Sequence, residues 1–332
     1  MFDDDTTVLI YWLNWRFLLC AIWMLSAMVV SVILIRKYEG FNKSRNGRRD
    51  NQRETAGSLY KDEVWKTSLK TIHPAGLLAY RITAFSVLLA SITANVVRDG
   101  VSVFFFYTQW TFALATIYFG LGSSLSIYGC CQSCSEVGDR VDHVGDDAEL
   151  GMYVAPTLGE NANMPTISKS LNTDKEPHIR KPAGILGYIF QITFQMCAGA
   201  VVLTDCIFWF LIYPFLTNMD IKMDFLTATM HSINVVFLLG DMSLNCLRFP
   251  FFRVAYFVLW TVTYVIFQWI IHFFFPIWWP YSFFDLSSPY APLWYLAVGL
   301  LHLPCYGLFA LIVRMKQLWF SRSFPESYRS RR

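Results

Sequence analysis

Residues 17–37 read FLLCAIWMLSAMVVSVILIRK, in which nineteen uncharged residues are followed directly by Arg36 and Lys37. A membrane-spanning helix needs about 20 apolar residues to cross a hydrocarbon core of about 30 Å. The cytosolic flanks of such helices are enriched in lysine and arginine. This stretch therefore predicts a membrane helix whose carboxyl end faces the cytosol.

Six further apolar stretches follow the first, so the sequence predicts an all-α membrane bundle of about seven spans within residues 17–313. The predicted spans cover residues 17–35, 77–97, 101–128, 185–208, 225–247, 255–278 and 292–313. The other segments are a short outer N-terminus (1–16), two cytosolic loops (36–76 and 130–182) and a basic cytosolic tail (314–332). We expect six spans to form the core and the first to lie at its periphery.

Lysine and arginine are concentrated in every second segment between these spans. With Arg81 at the entrance to the second span included, 24 of the 27 basic residues belong to one set of segments. The other set holds only Arg16, Arg98 and Lys222. Because basic residues mark the cytosolic side, the N-terminus is predicted to lie outside or in a lumen, and the C-terminus in the cytosol.

The composition excludes several classes of protein. The chain is 55% hydrophobic and 15% charged, whereas a soluble domain carries about 25% charge. A net charge of +3, dispersed over several segments, gives no basis for nucleic-acid binding and suits an anionic leaflet. The start, Met1-Phe2-Asp3-Asp4-Asp5, is acidic, so no cleavable signal peptide is expected. The endoplasmic reticulum and the plasma membrane are both compatible with this sequence.

Polar side chains from several predicted spans reach a similar depth on the outer side. At 1.5 Å per residue, Thr108 lies roughly 10 Å inside the third span. Ionisable groups inside a membrane are costly and are therefore candidates for function. If these helix faces converge, they form a polar pocket in the outer half of the bundle. Its other members would be Asp205, His231, His272 and His302, with Gln109, Asn234 and Gln268 at neighbouring positions.

Threonine, histidine and a carboxylate at one depth suggest a nucleophilic mechanism. A hydroxyl attacks once a base takes its proton, and imidazole can do so near neutral pH. A carboxylate close to the histidine could orient the ring and stabilise its charged form. The same residue types also serve ordinary helix packing, through hydrogen bonds to the backbone or between helices. Depth alone leaves catalysis, packing and a transport path open.

Asp241 lies ten residues after His231, which places it about 15 Å further along the same span. It could mark a path for protons or ions. It could instead pair with Arg81 or Arg248 near the cytosolic surface, and the pairing is the favoured interpretation.

Cys130, Cys131 and Cys134 follow the third span, and juxtamembrane cysteines are typical palmitoylation sites. Together with His143 they could also be read as zinc ligands. That pattern is weak, because adjacent cysteines rarely serve a tetrahedral site as a Cys-x-x-Cys pair does. The sequence contains no phosphate loop, nucleotide fingerprint or HExxH helix, so neither a cofactor nor a metal is predicted.

Several motifs resemble a known group of proteins. They are FYTQWTF (106–112), TIYFG (116–120), SIYGC (126–130), Tyr80-Arg81, Trp209 with Tyr213-Pro214-Phe215, and Met230-His231-Ser232. Between about Leu77 and Val313 the chain resembles plant membrane proteins of the rolling-stone-like group, whose animal namesake is implicated in myoblast fusion.

That group is distantly similar to the androgen-induced (FAR-17a) membrane proteins. Members of this family hydrolyse fatty acid esters of hydroxy fatty acids with an intramembrane threonine and a histidine. Tyr107-Thr108 approximates the setting of that threonine, and His231-Ser232 that of the histidine. The resemblance therefore implies that Thr108 is the nucleophile and His231 its base, and we expect Asp205 or His272 to support the ring. Ser232 stands where that family has threonine after the histidine, and the surrounding residues match poorly.

The sequence thus predicts a multi-pass membrane protein in contact with membrane lipids, and leaves three functions open. The first is an intramembrane lipid-ester hydrolase. The second is a scaffold or trafficking protein that binds protein partners through residues 130–182 and the basic tail. The third is a proton-coupled carrier that uses Asp205 and Asp241.

Overall fold

The structure is a computed structural model that describes residues 6–39, 59–149, 182–216 and 225–329, without the side chains of 136–149, 216 and 225. The described residues form helices and contain no strand, only three isolated antiparallel bridges. The predicted all-α class is confirmed for this part of the chain.

Most of the described residues belong to α-helices. Within the described ranges the α-helices are α1 (Leu9–Trp12), α2 (Trp15–Tyr38), α3 (Pro74–Asp99), α4 (Tyr107–Glu149), α5 (Ile185–Ile207), α6 (Phe225–Met230), α7 (Ile233–Leu244), α8 (Val254–Phe274) and α9 (Ala291–Ser323). A π-helix, Phe208–Leu216, extends α5.

Six of these helices are long and apolar enough to cross a membrane: α2, α3, α4, α5 with its π-helical extension, α8 and α9. The ends of α2 show how the sequence sets its limits. The Asn14 side chain accepts a hydrogen bond from the Phe17 amide (2.9 Å) and so caps the first turn. Arg36 and Lys37 occupy the last turn, where positive charge complements the helix dipole. The six helices indicate a multi-pass integral membrane protein.

Several helix ends differ from the predicted spans. Helix α4 begins at Tyr107, because Gly100 (φ 76°) makes a turn and a 3₁₀-helix (Val101–Phe105) comes first. Its backbone continues to Glu149, so helix covers the first part of the segment expected to be a loop. Helix α8 ends at Phe274 because Pro276 cannot donate a hydrogen bond and favours an extended conformation at Phe275 (φ −132°, ψ 133°). Residues 150–181 lie outside the described ranges.

The predicted fifth span is divided into two helices. Helix α6 ends at Met230 and α7 begins at Ile233, with a turn at His231 and Ser232. The side chain of Asn234 accepts a hydrogen bond from the Val235 amide (2.8 Å). This local bond competes with regular helix hydrogen bonding. Neither piece is among the six helices that are long enough to cross a membrane.

Helix α5 is the centre of the bundle and contacts α4, α7, α8 and α9. Its middle is built from small residues, Ala198, Gly199 and Ala200, all buried. Such residues let membrane helices approach closely. A Cβ atom at Gly199 would lie 2.3 Å from the Phe257 ring, so the contact between α5 and α8 requires glycine there. Helix α2 is mostly exposed and contacts α8 and α9, so it packs on the outside of the bundle.

Polar contacts are gathered at both ends of the bundle. At one end, called here the Arg253 end, Arg253 pairs with Glu39 (2.6 Å) and Arg248 with Glu63 (3.3 Å). At the opposite end, called here the Trp279 end, Tyr11 donates a hydrogen bond to Asp285 (2.8 Å). Burial and Asp285 together raise the pKa of Tyr11, so this hydroxyl keeps its proton.

Arg81 and Asp241 form an ion pair with both side chains fully buried, at 2.7 Å. Ser126 on α4 accepts a further hydrogen bond from Arg81 (2.7 Å), and Tyr118 donates one to Asp241. The side-chain amide of Asn245 also donates to Asp241 (2.7 Å). Of the two partners considered for Asp241, Arg81 is the one it contacts. This pairing neutralises Asp241 and argues against its use as a carrier's proton site.

The pair gives a test of the fold. Asp241→Ala would leave the Arg81 guanidinium buried and unpaired, which costs about 3–5 kcal/mol. We expect the free energy of unfolding in detergent micelles to fall by about that much, or the protein to fail to accumulate. Asp62→Ala removes a partly exposed pair with Lys66 and is the control, with an expected loss below about 1 kcal/mol. Equal stability of the two variants would contradict the role assigned to the pair.

Candidate functional site

Thr108 and His231 line one cavity near the Trp279 end. It has a volume of about 320 Å³, and its wall also includes Tyr281, Ser282 and Phe283. Thr108 lies in the first turn of α4, and His231 lies at the break between α6 and α7. The structure therefore brings together the two residues that the sequence analysis selected as nucleophile and base.

The break in the helix determines where His231 lies. Its backbone carbonyl accepts a hydrogen bond from the Trp209 indole (3.0 Å), which satisfies an acceptor in the interrupted helix. Its ring stacks on Phe208 with the centroids 3.5 Å apart and the planes 3° from parallel. The ring is buried, and its Nδ1 atom has no hydrogen-bond partner among the described residues. A ring nitrogen is thus free to receive a proton.

Tyr281 brings a second hydroxyl to Thr108. It belongs to the loop between α8 and α9 and is half-buried. Burial raises the pKa of Tyr281, and hydrogen bonding with Thr108 opposes that rise. The net effect keeps Tyr281 protonated at neutral pH, so it can donate a hydrogen bond to an oxygen that becomes negatively charged beside Thr108.

Asp205 and His272, the predicted supporting residues, have other neighbours. Both carboxylate oxygens of Asp205 lack a well-formed hydrogen bond within the described residues, and its neighbours include Asn234. His272 stacks on Trp279 at 3.7 Å, and its Nδ1 atom is 2.8 Å from the Gln268 carbonyl. Neither residue is among the described residues that line the 320 Å³ cavity.

The structure also contains a hydrogen-bonded group that the sequence analysis missed. Thr261 on α8 lies 2.8 Å from Nε2 of His302 on α9. The Tyr107 hydroxyl lies 2.8 Å from the same Thr261 oxygen. His302 was noted for its depth, but Thr261 was not, because threonine is common in membrane helices. The available signal was that Thr261 and His302 are polar residues within consecutive predicted spans.

The juxtamembrane cysteines lie at the carboxyl part of α4, toward the Arg253 end. Cys131 and Cys134 are exposed and Cys130 is partly buried, so two thiols are accessible for modification. No group of three or more metal-ligating side chains occurs in the described part of the chain. The side chain of His143, the fourth residue of the zinc interpretation, lies outside the described residues.

Comparisons with protein-family models, with curated proteins and with solved structures found no match to this chain.

The hydrogen bond to the broken helix can be tested directly. Trp209→Phe keeps the ring but leaves the His231 carbonyl without its donor, which costs about 1–3 kcal/mol for a buried acceptor. We expect the free energy of unfolding in detergent to fall by that amount. Trp319→Phe, at a position 61% exposed, is the matched control and should change it little. A Trp209→Phe protein as stable as the control would show that the carbonyl finds another donor.

Proposed function

We propose that this membrane protein is an intramembrane lipid-ester hydrolase, with Thr108 as nucleophile and His231 as general base. The observation that carries the proposal is that these residues, 123 positions apart in sequence, line one cavity. The unpartnered Nδ1 atom of His231 supports the role of base. The proposal also extends the resemblance to the FAR-17a family, whose substrates are fatty acid esters of hydroxy fatty acids.

In the proposed reaction, His231 takes the Thr108 proton while the threonine oxygen attacks the ester carbonyl carbon. The tetrahedral oxyanion receives a hydrogen bond from Tyr281, whose hydroxyl stays protonated. The carbon–oxygen bond to the leaving alcohol breaks, and that alcohol takes the proton from His231. Water then attacks the acyl-threonine and gives a proton to His231. His231 returns that proton to the Thr108 oxygen as the fatty acid is released.

The surroundings of the cavity suit an amphipathic substrate. Its wall includes aromatic and aliphatic residues, Phe106, Phe208 and Ile212, beside the polar ones. An acyl chain would lie against the apolar wall while the ester reaches Thr108. Asp205 and His272 have no direct role in this proposal, because their described contacts lie elsewhere.

We further propose that α6 and α7 together form a seventh span and that the Trp279 end faces outside or into a lumen. Two observations support this topology. Helix α7 contacts both α3 and α5 within the bundle. All four charged residues of the Arg253–Glu39 and Arg248–Glu63 ion pairs belong to segments that the sequence predicts to be cytosolic.

The orientation predicts which thiols a membrane-impermeant maleimide can reach. In sealed vesicles with the cytosolic face outward, the native Cys131 and Cys134 should be labelled without detergent. A cysteine introduced by Ser102→Cys, in the turn before α4, should be labelled only after permeabilisation. The reverse pattern would place the Trp279 end in the cytosol.

The hydrolase is tested with purified protein in vesicles that contain a fatty acid ester of a hydroxy fatty acid. Thr108→Ala and His231→Ala should each lower fatty acid release by at least about 100-fold, as expected for loss of a nucleophile or a general base. Thr93→Ala removes an exposed hydroxyl that bonds only its own helix and should leave the rate unchanged.

Folding of each variant is checked by its elution from a size-exclusion column and its thermal midpoint. Wild-type rates in folded Thr108→Ala and His231→Ala proteins would refute the hydrolase. Attention would then move to a scaffold role for residues 130–182 and the basic tail.

A further inference from the structure

A second hydroxyl and imidazole pair lies outside the 320 Å³ cavity. The Thr261 oxygen on α8 is 2.8 Å from Nε2 of His302 on α9. Both side chains are buried, with exposed fractions of 8% and 4%. This is the distance expected between a nucleophile and its general base.

The neighbours fix the direction of each proton. Nδ1 of His302 is 2.9 Å from the Val298 carbonyl, which can only accept, so Nδ1 carries the hydrogen. In the neutral ring Nε2 is then an acceptor, and Thr261 donates its hydroxyl proton to it. This is the arrangement that a general base needs before it removes the proton.

Tyr107 completes the group. Its hydroxyl lies 2.8 Å from the Thr261 oxygen and donates to it, since the threonine's own proton is directed to His302. Tyr107 and Thr261 also line a small cavity of about 30 Å³, together with Thr108 and His231. Tyr107 therefore holds the Thr261 oxygen in place from that side.

Thr261 and His302 border another cavity, of about 280 Å³, between α2, α8 and α9, which Tyr107 does not line. The described residues that line it include no charged side chain. Three of them, Val30, Leu300 and Leu303, are more than half exposed, so the cavity reaches the lipid-facing surface. A ligand can therefore enter sideways from the bilayer.

The depth of Thr261 limits the ligand class. It lies seven residues after the start of α8 at Val254, about 10 Å along a helix that is about 30 Å long. The ester bonds of a phospholipid are held near the interface by a charged head group. Moving a charge to this depth costs several kcal/mol. An ester that reaches Thr261 is therefore uncharged and has long alkyl chains.

We propose that Thr261, His302 and Tyr107 form a second acyl-transfer site, which takes uncharged long-chain esters from the bilayer through the cavity between α2, α8 and α9. His302 accepts the Thr261 proton as the threonine oxygen bonds to the carbonyl carbon. The bond to the alkoxy group breaks, and the released alcohol takes that proton from His302. Water then attacks the acyl-threonine, returns its proton through His302 and releases the fatty acid.

The test uses a long-chain alkyl fluorophosphonate on the full-length protein in vesicles, with the modified residue mapped by mass spectrometry. We expect an adduct at position 261 both in the wild type and in the Thr261→Ser variant. The yield at that position should fall at least 10-fold in His302→Gln. Thr263→Val removes an exposed hydroxyl two residues away on the same helix and should leave the Thr261 adduct unchanged.

Turnover is measured in parallel with oleyl oleate, an uncharged ester, and with phosphatidylcholine. Thr261→Val keeps the side-chain shape and should reduce oleyl oleate hydrolysis at least 100-fold, while Thr263→Val matches the wild type. The wild type should leave phosphatidylcholine intact. The proposal is overturned if folded wild-type protein carries no adduct on Thr261, or if Thr261→Val hydrolyses oleyl oleate at the wild-type rate.

Mapping separates this site from the proposed function, because adducts on Thr108 and Thr261 are read independently. An adduct on Thr261 without one on Thr108 would support the second site and remove the evidence for the first. An adduct on Thr108 alone would do the opposite.

Discussion

The buried ion pair between Arg81 and Asp241 is the interaction on which the arrangement of the bundle depends. Two charges at 0% exposure are tolerable because they pair with each other and each makes further hydrogen bonds. Arg81 also donates to Ser126 on α4 and to the Val64 carbonyl (3.0 Å), and its guanidinium lies over the Phe190 ring of α5 (4.9 Å). One side chain thus connects four parts of the fold. Asp241 in turn fixes the rotation of α7, and with it the position of His231 at the amino end of that helix.

Much of this fold follows from the sequence by simple rules. Apolar length predicts the long helices, and the cost of burying a charge predicts that Asp241 needs a cation on a neighbouring helix. The break between α6 and α7 was not predictable in this way, because residues 225–247 form one apolar stretch in the sequence. The break depends on the Asn234 side chain and on Trp209, a residue of another helix. Helix propensity contains no information about a hydrogen-bond donor, such as the Trp209 indole, that comes from another helix.

The candidate site was predictable in part. Depth along each span grouped Thr108 and His231 with three other polar residues, and both line one cavity. Depth carries no information about which way a side chain points around its helix. It therefore could not show that His272 turns toward Trp279, nor that His302 turns toward Thr261. Depth also could not show that Thr261 and His302 are hydrogen-bonded to each other. Nor could it show that Nδ1 of His231 has no partner among the described residues.

Helix α2 is held by a polar contact at each of its two ends. Glu39 binds Arg253 beyond one end, and Arg16 donates to the Ser287 carbonyl at the other. Between these clamps, the 280 Å³ cavity separates the middle of α2 from α8 and α9. A gentle outward curve of α2 would widen the cavity toward the lipid and leave the polar contacts at both ends intact.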